Sequence, residues 1–242
     1  MAKALIKRAL FMRAFATHPL LSLSRYSALI QHFLREKNID KTPKGIIISS
    51  VVPGHTEALR KTLKRLFSVE PLIVDHTSKT GIRLDIPKPE ELGSDRIANA
   101  VAAEELYKCP VAVIDCGTAT TISVVGKDAN YIGGAILPGI RLMNESLAKG
   151  TYRLTEIQIR PTRAALGTNT AACILSGLLY GTAGAVERIL SEVERETGLR
   201  LKIAMTGGHS GHISKCMTRK HKVIPDLTLE GLRIIYTRNT DA

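Results

Sequence analysis

Residues 110–116 read Pro-Val-Ala-Val-Ile-Asp-Cys, five apolar positions closed by a carboxylate. An apolar run this short, bounded by turn residues, is a buried strand rather than a helix. A polar turn follows at once, and residues 121–127 form a second strand. Asp128-Ala-Asn130 turns the chain into a return strand over 131–135. Gly-Ile-Ile-Ile-Ser-Ser-Val-Val at 45–52 reads as another buried strand that stops at Pro53-Gly54, and 71–74 and 201–206 read likewise. Apolar spacing predicts helices over 23–37, 55–67, 137–149, 170–196 and 228–236. One more starts around Ser94-Asp95, read as an N-cap pair, and runs through Ile97, Ala98, Val101 and Ala102. Strands interleaved with helices mean an α/β protein.

Composition narrows the class. A chain of 242 residues fits one or two domains at about 150 residues each. Apolar and charged shares of 44% and 23% exclude a disordered, collagenous or coiled-coil chain. No run approaches the ~18 apolar residues of a membrane helix, so no membrane span is expected. Trp is absent and Phe and Tyr are few, so the core is aliphatic and no aromatic platform for RNA is present. Residues 1–84 hold 15 Lys+Arg against 5 Asp+Glu, and residues 85–242 hold 19 against 17. The basic first third has no nucleic-acid reading motif beside it, so no nucleic-acid partner is expected. Cys109, Cys116, Cys173 and Cys216 form no C-x-x-C pair and no zinc spacing, which reads as buried reduced thiols in a cytoplasmic protein. The first acidic residue is Glu36. The stretch before it has the composition of a mitochondrial transit peptide, against which stands an ordinary folded start.

Four segments carry chemistry. In Asp115-Cys-Gly-Thr-Ala-Thr-Thr121, Gly117 lets backbone N–H groups turn toward an anion, and Thr118, Thr120 and Thr121 add hydroxyls. Asp115, at the strand end, suits a cation that accompanies phosphates. The bland alternative is a tight hairpin. Gly93-Ser-Asp-Arg96 pairs a carboxylate with a guanidinium at a helix start, where Asp95 otherwise serves as a cap. Gly133-Gly-Ala-Ile-Leu-Pro-Gly139 and Thr206-Gly-Gly208 offer bare backbone to a flat ligand.

Taken together, these segments resemble type III pantothenate kinases. The similarity runs over about residues 13–238 and includes Ser49-Ser-Val-Val-Pro53, Glu91-Leu-Gly-Ser-Asp-Arg-Ile-Ala-Asn99, Gly167-Thr-Asn-Thr170, Ser176-Gly177 and Pro225-Asp-Leu-Thr-Leu-Glu-Gly-Leu232 beside the four above. The resemblance implies the acetate and sugar kinase/actin-like superfamily, with two ribonuclease-H-like α/β domains of mixed sheets flanked by helices. On that reading residues 1–105 form the first domain, incomplete, and residues 106–242 the second. It implies a cytoplasmic homodimer that phosphorylates pantothenate with ATP, the first step toward coenzyme A. Asp95 then matches the general base, and Gly93, Ser94, Asp95, Arg96 and Thr170 the pantothenate contacts. Gly117, Thr118, Gly207 and Gly208 match the ATP site. Asp115 matches the ligand of a monovalent cation, K+ or NH4+, with Mg2+ accompanying ATP.

Two departures stand out. The family's opening Asp-x-Gly-Asn-Thr phosphate motif is not found before residue 115, so residues 1–12 read as unrelated and the first sheet as short of strands. Ile86 stands where the family often has a tyrosine that touches the substrate. These departures keep a second reading open: a catalytically impaired relative acting as a binding or regulatory accessory factor.

Overall fold

The computed structural model describes residues 21–39 and 42–240. The expectations for residues 1–12 and for most of the acid-free N-terminal stretch lie outside the described residues. The chain divides into two units. Unit 1 comprises residues 1–81, 87–102 and 228–242, and unit 2 comprises residues 82–86 and 103–227.

The described residues of unit 1 are mostly helical. Helix α1 (Leu23–Glu36) starts where the Ser22 hydroxyl accepts the Arg25 N–H at 3.4 Å. Strand β1 is only Ile47–Ile48, far shorter than the predicted 45–52, and pairs in parallel with β2 (Leu72–Ile73). Between them runs α2 (Pro53–Phe67), with Pro53 at its first position. There the missing proline N–H is one the helix would leave unbonded anyway. The first nine residues of α3 (Ser94–Tyr107) and nearly all of α6 (Leu227–Thr240) make up the rest of its described helices. Thr228 donates its hydroxyl to the Asn99 side-chain oxygen at 2.7 Å, which ties the two helices together.

Unit 2 is built on a six-stranded mixed sheet. Its strands are β3 (Arg83–Leu84), β4 (Val111–Cys116), β5 (Ala119–Val125), β6 (Asn130–Pro138), β7 (Lys202–Thr206) and β8 (Lys222–Val223). Their spatial order is β3-β6-β5-β4-β7-β8. β4, β5 and β6 form an antiparallel meander, and β7 and β8 extend it in parallel from β4. Apart from β3, this is the ribonuclease-H order that the resemblance implies: three hairpin-linked strands, then two parallel ones after helical crossovers. The return strand expected over 131–135 extends to Pro138, so the next helix begins at Ile140 rather than at 137. Gly133, with φ of +131°, sits at the bulge where the β5–β6 register shifts. Such a bulge leaves one residue unpaired and favours glycine.

The crossover from β6 to β7 is α4 (Ile140–Gly150) followed by α5 (Thr170–Thr197). Asn169 caps α5 by accepting the Ala172 N–H at 3.0 Å, and Gly198 ends it in the left-handed region. By length and composition α5 is apolar enough to cross a membrane, a correction to the expectation that no segment passes that test. Here it lines a protein core instead. Leu178, Leu179, Val186 and Leu190 are buried and pack with Ala112, Ile114, Ile122, Val124, Ile203 and Met205 from one face of the sheet. All four cysteines are free thiols, but only Cys116 and Cys216 are buried, and Cys173 is exposed in the first turn of α5. The reading of four buried thiols is corrected to that extent.

Candidate active site

In unit 2 the chemistry collects at one end of the sheet. Alternate residues of β4 face opposite ways. Ala112, Ile114 and Cys116 point into the core, so Asp115 faces the other side. Register then sets its neighbours. Asp115 pairs with Thr121 on β5 and with Thr206 on β7, and Thr121 pairs with Ile136 on β6. Directly paired residues share a face, so the carboxylate stands in a row between two threonines.

The same alternation removes Thr120 from the anion site. Thr120 pairs with Cys116, is fully buried, and has an unpartnered hydroxyl on the core side. Nor is the Gly117 N–H turned toward a ligand, because it donates to the Ala119 carbonyl at 3.0 Å. Thr118 does stand exposed at the tip of the turn.

Two further segments close on this turn. The Gly139 N–H donates to the Thr118 carbonyl at 3.1 Å, and the His209 N–H donates to the Cys116 carbonyl at 3.1 Å. Gly207 has φ of +91°, a conformation that side chains resist. A β-carbon there would lie 2.5 Å from Asp115 Oδ1 and 2.6 Å from Cys116 backbone atoms. The chain thus passes the carboxylate at backbone contact. Gly208, next along, is exposed and has nothing within 4 Å of its β-carbon position. Asp115, Gly117, Thr118, Gly207 and Gly208, far apart in sequence, are brought together.

Burial, with the Asp115 charge adding to it, pushes the Cys116 thiol up to about 12. A thiol so placed stays protonated and is no nucleophile. Burial lowers the pKa of His209, and the charges of His212 and Arg141 lower it further.

In unit 1 the Gly93 carbonyl accepts the Ile97 N–H at 3.1 Å. Gly93 is therefore the cap of α3, one position earlier than the predicted capping pair, and Ser94, Asp95 and Arg96 are its first turn. Asp95 Oδ1 accepts the Arg96 N–H at 2.9 Å. A carboxylate in a first helical turn also gains from the positive end of the helix dipole. Ser94 is buried and its hydroxyl meets that of Ser49 at 2.8 Å, which pins the 49–53 turn to the helix start. A cavity of about 250 Å³ opens beside it, lined by Ser50, Val51, Asp75, His76, Glu90 and Glu91 among others. Thr170 is exposed at the head of α5 in unit 2, beside a second cavity of about 620 Å³ whose lining includes Gly167, Ala171 and Ala172.

The motif reading overlooked Thr206 as a neighbour of Asp115 and singled out Val51 for no role. Period-two alternation from Asp115 would have chosen Thr121 over Thr120. Nothing local in the sequence marks Thr206, because its place comes from a parallel pairing nearly a hundred residues away.

A family model described as type III pantothenate kinase matches residues 3–192. The chain belongs to the type III pantothenate kinase family. A type III pantothenate kinase from Moorella thermoacetica (strain ATCC 39073 / JCM 9320) is 37% identical over 217 residues, covering 89% of this chain and 85% of that one. Family membership makes the chain a kinase transferase that phosphorylates pantothenate with ATP in coenzyme A biosynthesis. The family match takes in residues 3–12, outside the stretch marked by the motifs. Among solved structures, a Campylobacter jejuni protein described as a conserved Baf family transcriptional activator superposes with a TM-score of 0.60. It is 19% identical and covers 86% of this chain and 89% of its own, a likeness of fold alone.

Proposed function

We propose that Asp95 is the general base of this pantothenate kinase. Its carboxylate takes the proton of the substrate's primary hydroxyl as that oxygen bonds to the γ-phosphorus of ATP and ADP departs. Phosphoryl transfer depends on positioning and charge neutralisation, with one residue aimed at the attacking hydroxyl. Asp95 suits that role because it is half-buried in a first helical turn whose neighbours hold it in place. Arg96 is the partner for the pantothenate carboxylate, since a guanidinium binds it bidentately. The acidic lining of the cavity beside Ser94 disfavours the carboxylate end there. Gly93 and Ser94 complete the pantothenate contacts in unit 1.

The nucleotide phosphates lie at the tip of the turn, at the exposed Thr118, and against the bare backbone of Gly207 and Gly208. The observation that carries this reading is the close packing of Gly207 on Asp115. Among the described residues no group of three His, Cys, Asp or Glu side chains is placed to hold a metal. The donors at Asp115 are instead one carboxylate with two threonines in its row. An all-oxygen set with a single carboxylate suits K+ or NH4+, or a Mg2+ whose remaining ligands are phosphates and water. Such a cation neutralises charge on the phosphates.

The same reading makes the protein a cytoplasmic homodimer of two ribonuclease-H-like domains, with no nucleic-acid or membrane partner. A coupled ATP assay with pantothenate, run in K+, NH4+ and Na+, tests the site in unit 2. Asp115→Ala is expected to weaken ATP and to abolish the preference among these cations. Unchanged ATP affinity together with an unchanged cation response refutes the assignment of Asp115.

A further inference from the structure

Val51 is an apolar side chain left 66% exposed in a turn that is otherwise held in place. The Val52 N–H donates to the Ser50 hydroxyl at 3.3 Å, and Ser49 is bonded to Ser94 at 2.8 Å. Its position therefore follows from the turn, and burial in unit 1 does not explain it. Gly93 shows what it faces. A β-carbon built on Gly93 would lie 2.6 Å from Asp95 Oδ1 and 3.4 Å from Val51 Cγ1. Carboxylate and valine methyl border the same small gap, which stays open because residue 93 has no side chain.

The substrate has a matching pair of features. The reacting hydroxyl of pantothenate sits on a methylene attached to a quaternary carbon that carries two methyl groups. A base that reaches this hydroxyl has those methyls one carbon away. Most of the cavity lining nearby is polar or charged: Ser50, Asp75, His76, Glu90, Glu91 and Ser94. The other apolar lining residues, Val74 and Leu92, are buried at 2% and 8% exposure. Val51 is the apolar group of that lining with surface to offer.

We propose that Val51 is a specificity-determining residue that receives the two methyl groups of pantothenate while Asp95 receives its hydroxyl proton. The proposal rests on the assignment of Asp95 as base. A hydrophobic contact of this kind discriminates modestly, at about 10–200-fold per methylene in an enclosed pocket. An open wall such as Val51 falls at or below the lower end.

The test compares pantothenate with its analogue that has CH2 in place of the dimethyl carbon, using wild type, Val51→Thr and Val51→Ala. Val51→Thr keeps the shape and adds a hydroxyl, and an exposed position tolerates both changes. Wild type is expected to favour pantothenate over the analogue in kcat/KM. Each variant is expected to lose about five- to tenfold in kcat/KM on pantothenate, mainly through KM. On the analogue each is expected to change by less than about twofold, with an unaltered melting temperature. A structural role would lower both substrates together, so equal losses overturn the proposal. A wild-type preference that survives in both variants, or no preference in wild type, also overturns it. Asp95→Asn, assayed in parallel, separates the two claims. Full activity there refutes the base assignment, whereas an inactive Asp95→Asn beside an unchanged substrate preference in the Val51 variants refutes this proposal alone.

Discussion

Gly207→Ala tests the close approach of the β7 end to Asp115 at one end of the unit 2 sheet. Two costs add at this position. The backbone φ of +91° is outside the ordinary range for a side-chain-bearing residue, at a cost of about 1–2 kcal/mol. The new methyl also arrives 2.5 Å from Asp115 Oδ1 and 2.6 Å from the backbone N and C of Cys116. The carboxylate can rotate aside, but the strand backbone cannot. Either the β7 end lifts away from β4 or the Asp115–Gly117 turn shifts, and such strain typically costs a further 1–3 kcal/mol, roughly. Restricting the unfolded chain returns about 0.4–1 kcal/mol. The net expectation is a loss of ~2–4 kcal/mol. At about 2–4 °C per kcal/mol for a chain of this size, the melting temperature falls by roughly 4–16 °C. ATP affinity is expected to fall with it, because the displaced atoms are those proposed to face the phosphates. Calorimetry with a fluorescent-nucleotide titration reads both. A variant that melts with wild type and binds ATP as tightly would refute the apposition of Gly207 on Asp115.

Three other outcomes follow from the same geometry. Gly93→Ala places a methyl 2.6 Å from Asp95 Oδ1, and a base displaced by about 1 Å costs about 10²-fold in turnover, so kcat is expected to fall steeply while circular dichroism holds. Glu187 accepts backbone N–H groups of Thr218 at 2.6 Å and Arg219 at 2.7 Å. Burial pushes its pKa up, but bonds from Arg219 and Thr218 outweigh this and hold it below the usual range. Its contribution is therefore present at neutral pH and lost as pH falls through that lowered pKa. Glu187→Gln is expected to cost about 1–3 kcal/mol at pH 7 and to flatten the acid limb of the stability profile, measured by urea unfolding from pH 3 to 7. In thiol labelling at pH 8, Cys173 is expected to react promptly. Cys116, buried and pushed up to about 12, is expected to react only after unfolding, and mass mapping distinguishes them.

The β4–β5 hairpin was legible because an apolar run ends in Asp115 and a glycine turn, and both signals are local. The strand predicted over 45–52 shrinks to Ile47–Ile48 for a reason the pattern does not carry. Ser49 and Ser50 spend their hydroxyls holding a turn, and β2 offers only two residues to pair with. Strands β3 and β8 have two residues each, too few for periodicity to register. The return strand expected over 131–135 runs on to Pro138, past the expected helix start at 137, because β5 supplies a full antiparallel partner. Among the candidate residues, Asp95 and Arg96 in unit 1 and Asp115, Gly207 and Gly208 in unit 2 are marked by their motifs. Thr206 and Val51 are not, since both acquire meaning only from a neighbour distant in sequence.

The most direct measurement is the rate of phosphopantothenate formation under saturating ATP, Mg2+, K+ and pantothenate, for wild type and Asp95→Asn, with nucleotide binding measured on the same samples. A general base contributes about 10²–10⁴ in rate. Wild type is expected to form product, and Asp95→Asn to lose that factor in kcat while ATP affinity and the melting temperature hold. Asp95→Asn turning over near the wild-type rate would contradict the account and leave Asp95 a helix-terminus carboxylate.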